Sequence, residues 1–249
     1  LRGRPVLLWG QGLGPLQRQL SRRLVRLVLP VCRSASWRDQ ASMDRASRWA
    51  PRMPMQLAPD PVWGLPRQPW SGGLSIVVCW RPSPLLGLRG WSLLLNALSR
   101  LAEDLDAPVR WLAFHRHQDG ELLDWLTDQG VVPPGLRSRS TTVIPSSLDT
   151  VFASVRKARL VIPMRLHALI LARLAHCPMA ALSYDPKVEA AAAMAGIPCS
   201  SLDALPDEPT LLKQWRESMD SPADSDQIER IRAAAAHHGS HLRRYLPQR

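Results

Sequence analysis

The chain has 249 residues, 45% of them hydrophobic and 21% charged, a composition that suits one large or two small globular domains. Lys and Arg number 32 against 21 Asp and Glu, so the formal charge is +11. That excess, mostly arginine, favours anionic partners: nucleic acid, phosphorylated small molecules or membrane phosphates.

No apolar run approaches the roughly 20 residues that a membrane-spanning helix needs. Cys32, Cys79, Cys177 and Cys199 are widely separated, form no CxxC pair for zinc or redox chemistry, and read as buried free thiols. The start, Leu1-Arg2-Gly3-Arg4, shows no signal-peptide pattern and no initiator Met, so the chain is expected to be a fragment.

In chain order, residues 5–9 predict a strand, Gly10-Gln11-Gly12-Leu13-Gly14-Pro15 a turn, and residues 17–29 a helix. A short strand is expected over 32–36, then a helix opening at Trp37-Arg38-Asp39 with Asp39 or Ser42 as its cap. From 50 to 73 the chain carries repeated prolines and ends in Ser71-Gly72-Gly73, a composition hostile to helix and central strand. Apolar strands are then expected over 74–80, 109–114, 140–144, 160–162 and 179–183. Helices are expected over 90–105, 120–129, 149–158, 167–176 and 186–195. This alternation predicts right-handed βαβ units and a parallel sheet. Two amphipathic helices follow, from 209 to 219 and from 225 to 245. The expected organisation is therefore α/β. Residues 1–60 form what is present of an amino-terminal Rossmann-like domain, 61–73 a Pro/Gly-rich linker, and 74–249 a carboxyl-terminal Rossmann-like domain, with the last helices able to pack back on the first.

Ligands of an open parallel sheet bind beyond the carboxyl ends of its strands, where helix amino termini point outward. Arg165 and His167 follow the strand over 160–162 and open the next helix. Their side chains and the helix dipole are placed to meet one anion, Arg165 as a planar fork and His167 as a group able to give or take a proton near neutrality. The bland reading of His167 is a structural residue at a helix start. The next junction, Ser183-Tyr184-Asp185-Pro186-Lys187-Val188, offers Tyr184 and Asp185 as pocket residues, with Asp185 as a plain helix cap the alternative. Arg81, and His115-Arg116-His117 followed by Asp119, add basic residues to the same sheet edge. No metal is expected, because no third ligand stands at a recognisable spacing.

The glycine-rich turn lacks the GxGxxG spacing of a dinucleotide site. Gln11, Gly12 and Gly14 there allow either a close approach of backbone to ligand or simply a tight βα turn. Arg38, at the end of its own strand, is expected to meet an anion held by Arg165 if the two domains oppose their strand ends. No GxSxG elbow, Walker lysine loop, HExxH motif or nucleic-acid module occurs.

Four segments together, Gly10-Gln11-Gly12-Leu13-Gly14-Pro15-Leu16, Trp37-Arg38-Asp39, Met164-Arg165-Leu166-His167-Ala168-Leu169-Ile170 and Ser183-Tyr184-Asp185-Pro186-Lys187-Val188, resemble the polysaccharide pyruvyl transferases, most closely the CsaB type of bacterial cell envelopes. The resemblance implies two Rossmann-like domains in a GT-B-like arrangement and phosphoenolpyruvate as co-substrate, with no cofactor. The implied acceptor is a glycan or lipid-linked saccharide, and the product a pyruvate ketal. It implies that Arg165, Leu166 through its backbone, and His167 contact the donor, that Arg38 or, second, Arg81 assists, and that His167 is the general acid. A cytoplasmic protein is expected, with peripheral contact to an anionic inner membrane face left open and no nucleic-acid partner. Family members begin with a further strand and glycine-rich segment that nothing here matches, so the amino-terminal domain is expected to be truncated. Pro163 stands where glycine is common. Two other readings stay open: a GT-B glycosyltransferase using a nucleotide sugar, and an inactive fragment that binds acidic glycans.

Overall fold

The computed structural model describes residues 5–14, 16–221 and 223–246. Residues 1–4, Pro15 of the glycine-rich motif and the terminal Arg249 lie outside the described residues. The chain divides into two compact units, residues 1–65 with 229–249, and residues 66–228. Relative to the expected divisions at 60 and 73, the first unit takes in the 3₁₀ turn Pro61–Gly64, whose Trp63 is buried, and the second begins inside the expected linker.

The first unit is built on three parallel strands, β1 (Leu7–Gln11), β2 (Ser34–Trp37) and β3 (Met55–Leu57), in that spatial order. Helix α1 (Gln19–Val28) connects β1 to β2, and α2 (Gln40–Trp49) connects β2 to β3. Asp39 caps α2, its carboxylate accepting from the Ser42 N–H at 2.7 Å and so satisfying one of the free donors of the first turn. The proline-rich break from 50 to 73 carries β3, which composition alone argues against. Three residues suffice, and the flanking Pro54 contributes only a carbonyl, accepting from Ala35 N–H at 3.0 Å, at an edge where its missing donor costs nothing. Leu29, Ala35, Trp37, Ala46 and Met53 form the core of this unit.

The second unit runs β4 (Ser75–Cys79), α3 (Leu88–Asp104), β5 (Val109–Leu112), the short α4 (Arg116–Asp119), α5 (Leu122–Asp128), α6 (Pro134–Arg139) and β6 (Ser140–Val143). It continues with α7 (Leu148–Arg156), β7 (Ala158–Pro163), α8 (Leu166–Leu174), β8 (Ala181–Ser183), α9 (Pro186–Met194), β9 (Cys199–Ser201) and α10 (Glu208–Met219). Four strands pair in parallel in the order β6-β5-β4-β7, and β8 pairs with β9, also in parallel. The two groups join where Val161 bridges Met179 and Ala180 N–H donates to Val161 O at 3.2 Å. The connection therefore moves outward from β4 through β5 to β6, then returns to the other side of β4 with β7, β8 and β9. This is the doubly wound order, and its reversal lies between β4 and β7. Strand β9 escapes the apolar pattern because it is short and two of its three residues are serines. The core gathers Ile76, Val78, Leu94, Leu98, Leu122, Leu160 and Ile162 around Trp80, Trp91 and Trp111, with Trp80 meeting Trp111 edge to face at 5.4 Å.

Helix α11 (Ser225–Ala235) and helix α12 (His237–Tyr245) replace the single expected helix over 225–245. Within the first unit α12 lies against β1, β2 and β3. His238 on α12 is fully buried, with Nε2 at 2.8 Å from Pro59 O, so Nε2 donates and Nδ1 is left inside without a partner. Burial holds the His238 imidazole below its ordinary range, and burial does the same for His241, reinforced by Arg244 and His238.

Two outcomes follow for stability. Leu98→Ala removes a fully buried side chain and is expected to cost about 2–5 kcal/mol in urea denaturation. A histidine whose folded pKa is depressed takes its proton more readily in the unfolded chain. The stability this contributes is whole above the unfolded value of about 6.5 and declines as pH falls below it. His238→Asn is therefore expected to flatten the loss of the first unit's thermal midpoint between neutral and mildly acidic pH, measured by circular dichroism; an unchanged slope would contradict the assignment.

Candidate functional site

The strand-order reversal brings two strand ends side by side. Met164 N–H, just after β7, donates to Cys79 O at the end of β4 at 3.1 Å. The chain then delivers Arg81 from β4 and Arg165 from β7 to the same edge. Arg165 keeps an extended backbone (φ −97°, ψ 132°) at the N-cap of α8, and its carbonyl accepts from Leu169 N–H at 3.0 Å, the first bond of that helix. Its side chain makes no cap and is free to turn away from the helix.

It turns to the loop after β5. The Arg165 Nη2 donates to Asp119 Oδ1 in an ion pair and to Gln118 Oε1 at 3.3 Å. The Asp119 side chain is 2% exposed, and its second oxygen accepts from the backbone N–H groups of Phe114 (3.0 Å) and His115 (2.9 Å). A carboxylate so deeply placed is tolerable only because both oxygens are satisfied. The guanidinium it holds keeps 20% side-chain exposure, with Nε buried and unpartnered. Beneath the pair, burial pushes the Cys79 thiol well up, Asp119 adds to that, and Arg165 opposes it, so this cysteine is not a nucleophile.

Leu166 is buried, so any role toward a ligand falls to its backbone, whereas His167 stands exposed in the first turn of α8. The first N–H groups of such a helix have no intrahelical acceptor and face the same edge as the Arg165 side chain. Arg81 is held by Tyr184: its guanidinium lies 4.8 Å from the ring centroid and Nη1 donates to the phenol oxygen at 3.2 Å. Asp185 is the α9 cap, accepting from Lys187 N–H at 3.0 Å and pairing with Lys187 Nζ at 3.0 Å, so its carboxylate is committed to that helix. His115 is exposed at the start of α4 and gives its backbone N–H to Asp119.

In the first unit Arg38 follows β2. Its N–H donates to Gln11 O at 3.1 Å and its Nη1 pairs with Asp60 Oδ2 at 2.7 Å. A Cβ on Gly12 would lie 3.0 Å from Arg38 Nε, so glycine here lets the guanidinium lie against the turn. Gly14 has φ +128° and faces the Arg45 guanidinium, while the Gln11 side-chain amide folds back onto Trp9 O at 3.0 Å. Gly10 N–H is taken by Ser36 Oγ (2.9 Å) and Leu13 N–H by Ser42 Oγ (2.6 Å). These amides hold the βα turn itself.

Arg165, His167, Arg81, Tyr184 and His115 thus share one edge of the second unit, and Arg38, Gln11, Gly12 and Gly14 one edge of the first. Asp119, Gln118 and Asp60 are the partners that sequence reasoning missed. The available signal for Asp119 was an acid placed two residues after His115-Arg116-His117 on an otherwise basic edge.

The sequence pattern of the family described as polysaccharide pyruvyl transferase matches residues 1–186. No curated protein matches the chain. Among solved structures, the chain is similar to Anabaena HepE crystallised with UDP and glucose (13% identity, TM-score 0.60, covering 98% of this chain and 72% of that one). It is also similar to TarM (8%, TM-score 0.58, 96% and 48%) and to the sucrose-phosphate synthase of Thermosynechococcus elongatus (13%, TM-score 0.56, 94% and 64%). These neighbours are GT-B glycosyltransferases, and at such identities the likeness is one of fold.

Removing Asp119 takes the carboxylate from a mostly buried guanidinium and the acceptor from two backbone N–H groups. Asp119→Ala is expected to lose about 3–5 kcal/mol of unfolding free energy in guanidinium titrations. Asp119→Asn, which retains an acceptor oxygen, is expected to lose less; equal losses would mean that the hydrogen bonds to Phe114 and His115 contribute nothing.

Proposed function

The chain belongs to the polysaccharide pyruvyl transferase family, and on that premise we propose that it transfers the enolpyruvyl moiety of phosphoenolpyruvate to a sugar of a cell-envelope polysaccharide or its lipid-linked precursor. The product is a pyruvate ketal, phosphate is released, and the acceptor chemistry is that of the CsaB type. The observation that carries the reading is the Arg165 head group, fixed by Asp119 at the strand-order reversal beside the amino terminus of α8.

Phosphoenolpyruvate presents a carboxylate and a phosphate. Arg165 and the first-turn amides of α8 suit one of these anions, and Arg81, braced by Tyr184, suits the other. Arg38, paired with Asp60 within the first unit, is a further candidate for contact with the donor. Holding both ends of the donor fixes the enol carbon for attack, which accounts for a large part of the barrier lowering.

A proton is added to the methylene carbon, and a sugar hydroxyl, passing its own proton to the group that supplied the first, bonds to the adjacent carbon. The bond between that carbon and the phosphate ester oxygen then breaks, its electron pair leaving on phosphate. A neighbouring hydroxyl closes the ketal and releases its proton to the phosphate or solvent. His167, exposed in the first helical turn, delivers the first proton. The arginines stabilise the departing phosphate, each well-placed donor contributing roughly 3 kcal/mol. Every step is acid–base or electrostatic, so the reading calls for no metal and no redox cofactor. The reaction is assigned to the cytoplasm, which supplies phosphorylated donors of this kind.

The experiment is phosphate release from phosphoenolpyruvate by the purified protein with lipid-linked saccharide acceptors, with mass spectrometry of the glycan for the added carboxyethylidene group. Release is expected only with acceptor present. Arg165→Ala is expected to lower kcat/KM by about 10²–10³ and His167→Ala by about 10²–10⁴. Tight binding of UDP-glucose with no phosphoenolpyruvate binding, or full turnover in Arg165→Ala, would overturn the proposal.

A further inference from the structure

Helix α1 is anomalous for a helix of a βα unit, because none of its residues is buried. Its Leu20, Leu24 and Leu27, with Val28 and the following Val31, are between 50% and 73% exposed. The spacing i, i+4, i+7, i+8, i+11 puts them in one stripe. Val25 and Leu29, on another side of the helix, are the residues that join the core of the first unit, so the stripe is presented outward while the helix is held in place.

The charge around the stripe has one sign. No Asp or Glu precedes Asp39 in the chain, while Arg18, Arg22, Arg23, Arg26 and Arg33 are all exposed. On the α2 side of the helix, Arg22 and Arg26 converge with Arg45 and Arg48 on a recess of about 270 Å³, closed by Leu16 and Trp49. Arg26 lies 5.1 Å from the centroid of the Trp49 ring, which holds its charge at the rim. Four guanidinium groups without a lining carboxylate repel one another until an anion enters.

We propose that α1 is an interfacial helix that seats the first unit on an anionic phospholipid surface, its aliphatic stripe entering the headgroup–acyl boundary and its arginines meeting lipid phosphates. An exposed aliphatic stripe on a helix whose remaining surface is arginine-rich is the pattern of helices that lie in the membrane plane. At 10 residues α1 is too short to span a bilayer, and among the described residues no helix is long and apolar enough to do so. An acid-free stretch favours a lipid phosphate over a protein surface of mixed charge. The inference does not rest on the pyruvyl transfer reading and stands or falls apart from it.

The test is co-sedimentation of the full chain at moderate salt with vesicles of phosphatidylcholine alone and with vesicles carrying about 30% phosphatidylglycerol. The double variant Leu24→Gln/Leu27→Gln keeps every charge and alters only exposed positions; Arg22→Gln/Arg26→Gln keeps the stripe. Circular dichroism confirms that each remains folded. Binding is expected to the anionic vesicles at least about tenfold more tightly than to neutral ones, with each double variant losing about tenfold or more. The proposal is overturned if the wild-type chain binds neither vesicle, or if the leucine variant binds as well as wild type, which would leave charge alone at work. A dimer in sedimentation velocity that the leucine variant dissociates, without any vesicle binding, would assign the stripe to a second copy of the chain.

Discussion

The buried carboxylate of Asp119 joins two segments that stand 46 positions apart in sequence. One oxygen receives the backbone of the loop after β5 at Phe114 and His115, and the other receives the Arg165 guanidinium from the junction of β7 and α8. The carboxylate cannot move outward without abandoning two backbone donors, and Arg165 cannot swing away without stranding a charge in the interior. The pair therefore fixes the direction of a cation that stands at the reversal of strand order, where an open α/β sheet offers its ligand crevice. The hydrogen bond between Met164 and Cys79 fixes the same point from the sheet side.

A similar device recurs with other partners. Arg81 is braced by the face and hydroxyl of Tyr184, and Arg38 by Asp60 with Gly12 giving room for its guanidinium. In each case a cation on a strand end is immobilised before any ligand arrives, which lowers the ordering cost of binding an anion. The partners are chemically different, and so are their consequences. A neutral tyrosine leaves the full charge of Arg81 available, while the carboxylates on Arg165 and Arg38 hold direction at some expense of charge.

Much of this was legible in the sequence. The apolar segments around β4, β5 and β7 are long enough, and their intervening helices regular enough, to announce a parallel sheet, and Arg165-Leu166-His167 fell at a strand–helix junction as the pattern required. The elements that escaped are those in which local chemistry argues the other way. β3 is three residues among prolines, two of the three residues of β9 are serines, and the last helix breaks at Ala236 where no glycine or proline marks the place. The role of Asp119 was hidden for another reason: its partner is 46 positions away, and only the strand order brings the two together. The glycine-rich turn shows the reverse limit. Its composition allowed either a close approach to a ligand or a tight βα turn, and the structure adds that the Gly10 and Leu13 amides are taken by Ser36 and Ser42. Tyr184 and Asp185, adjacent in sequence, part company in the same way, one bracing Arg81 and the other capping α9.

Under the proposed function, the donor anion binds at the cation that Asp119 fixes. A crystal structure of the protein soaked with phosphoenolpyruvate tests it most directly. Density is expected for the donor with one anionic group within hydrogen-bond distance of the Arg165 guanidinium and the first-turn amides of α8, and with the Arg165–Asp119 pair intact. Donor density elsewhere, or an Arg165 side chain released from Asp119 and pointing away from the donor, would contradict it.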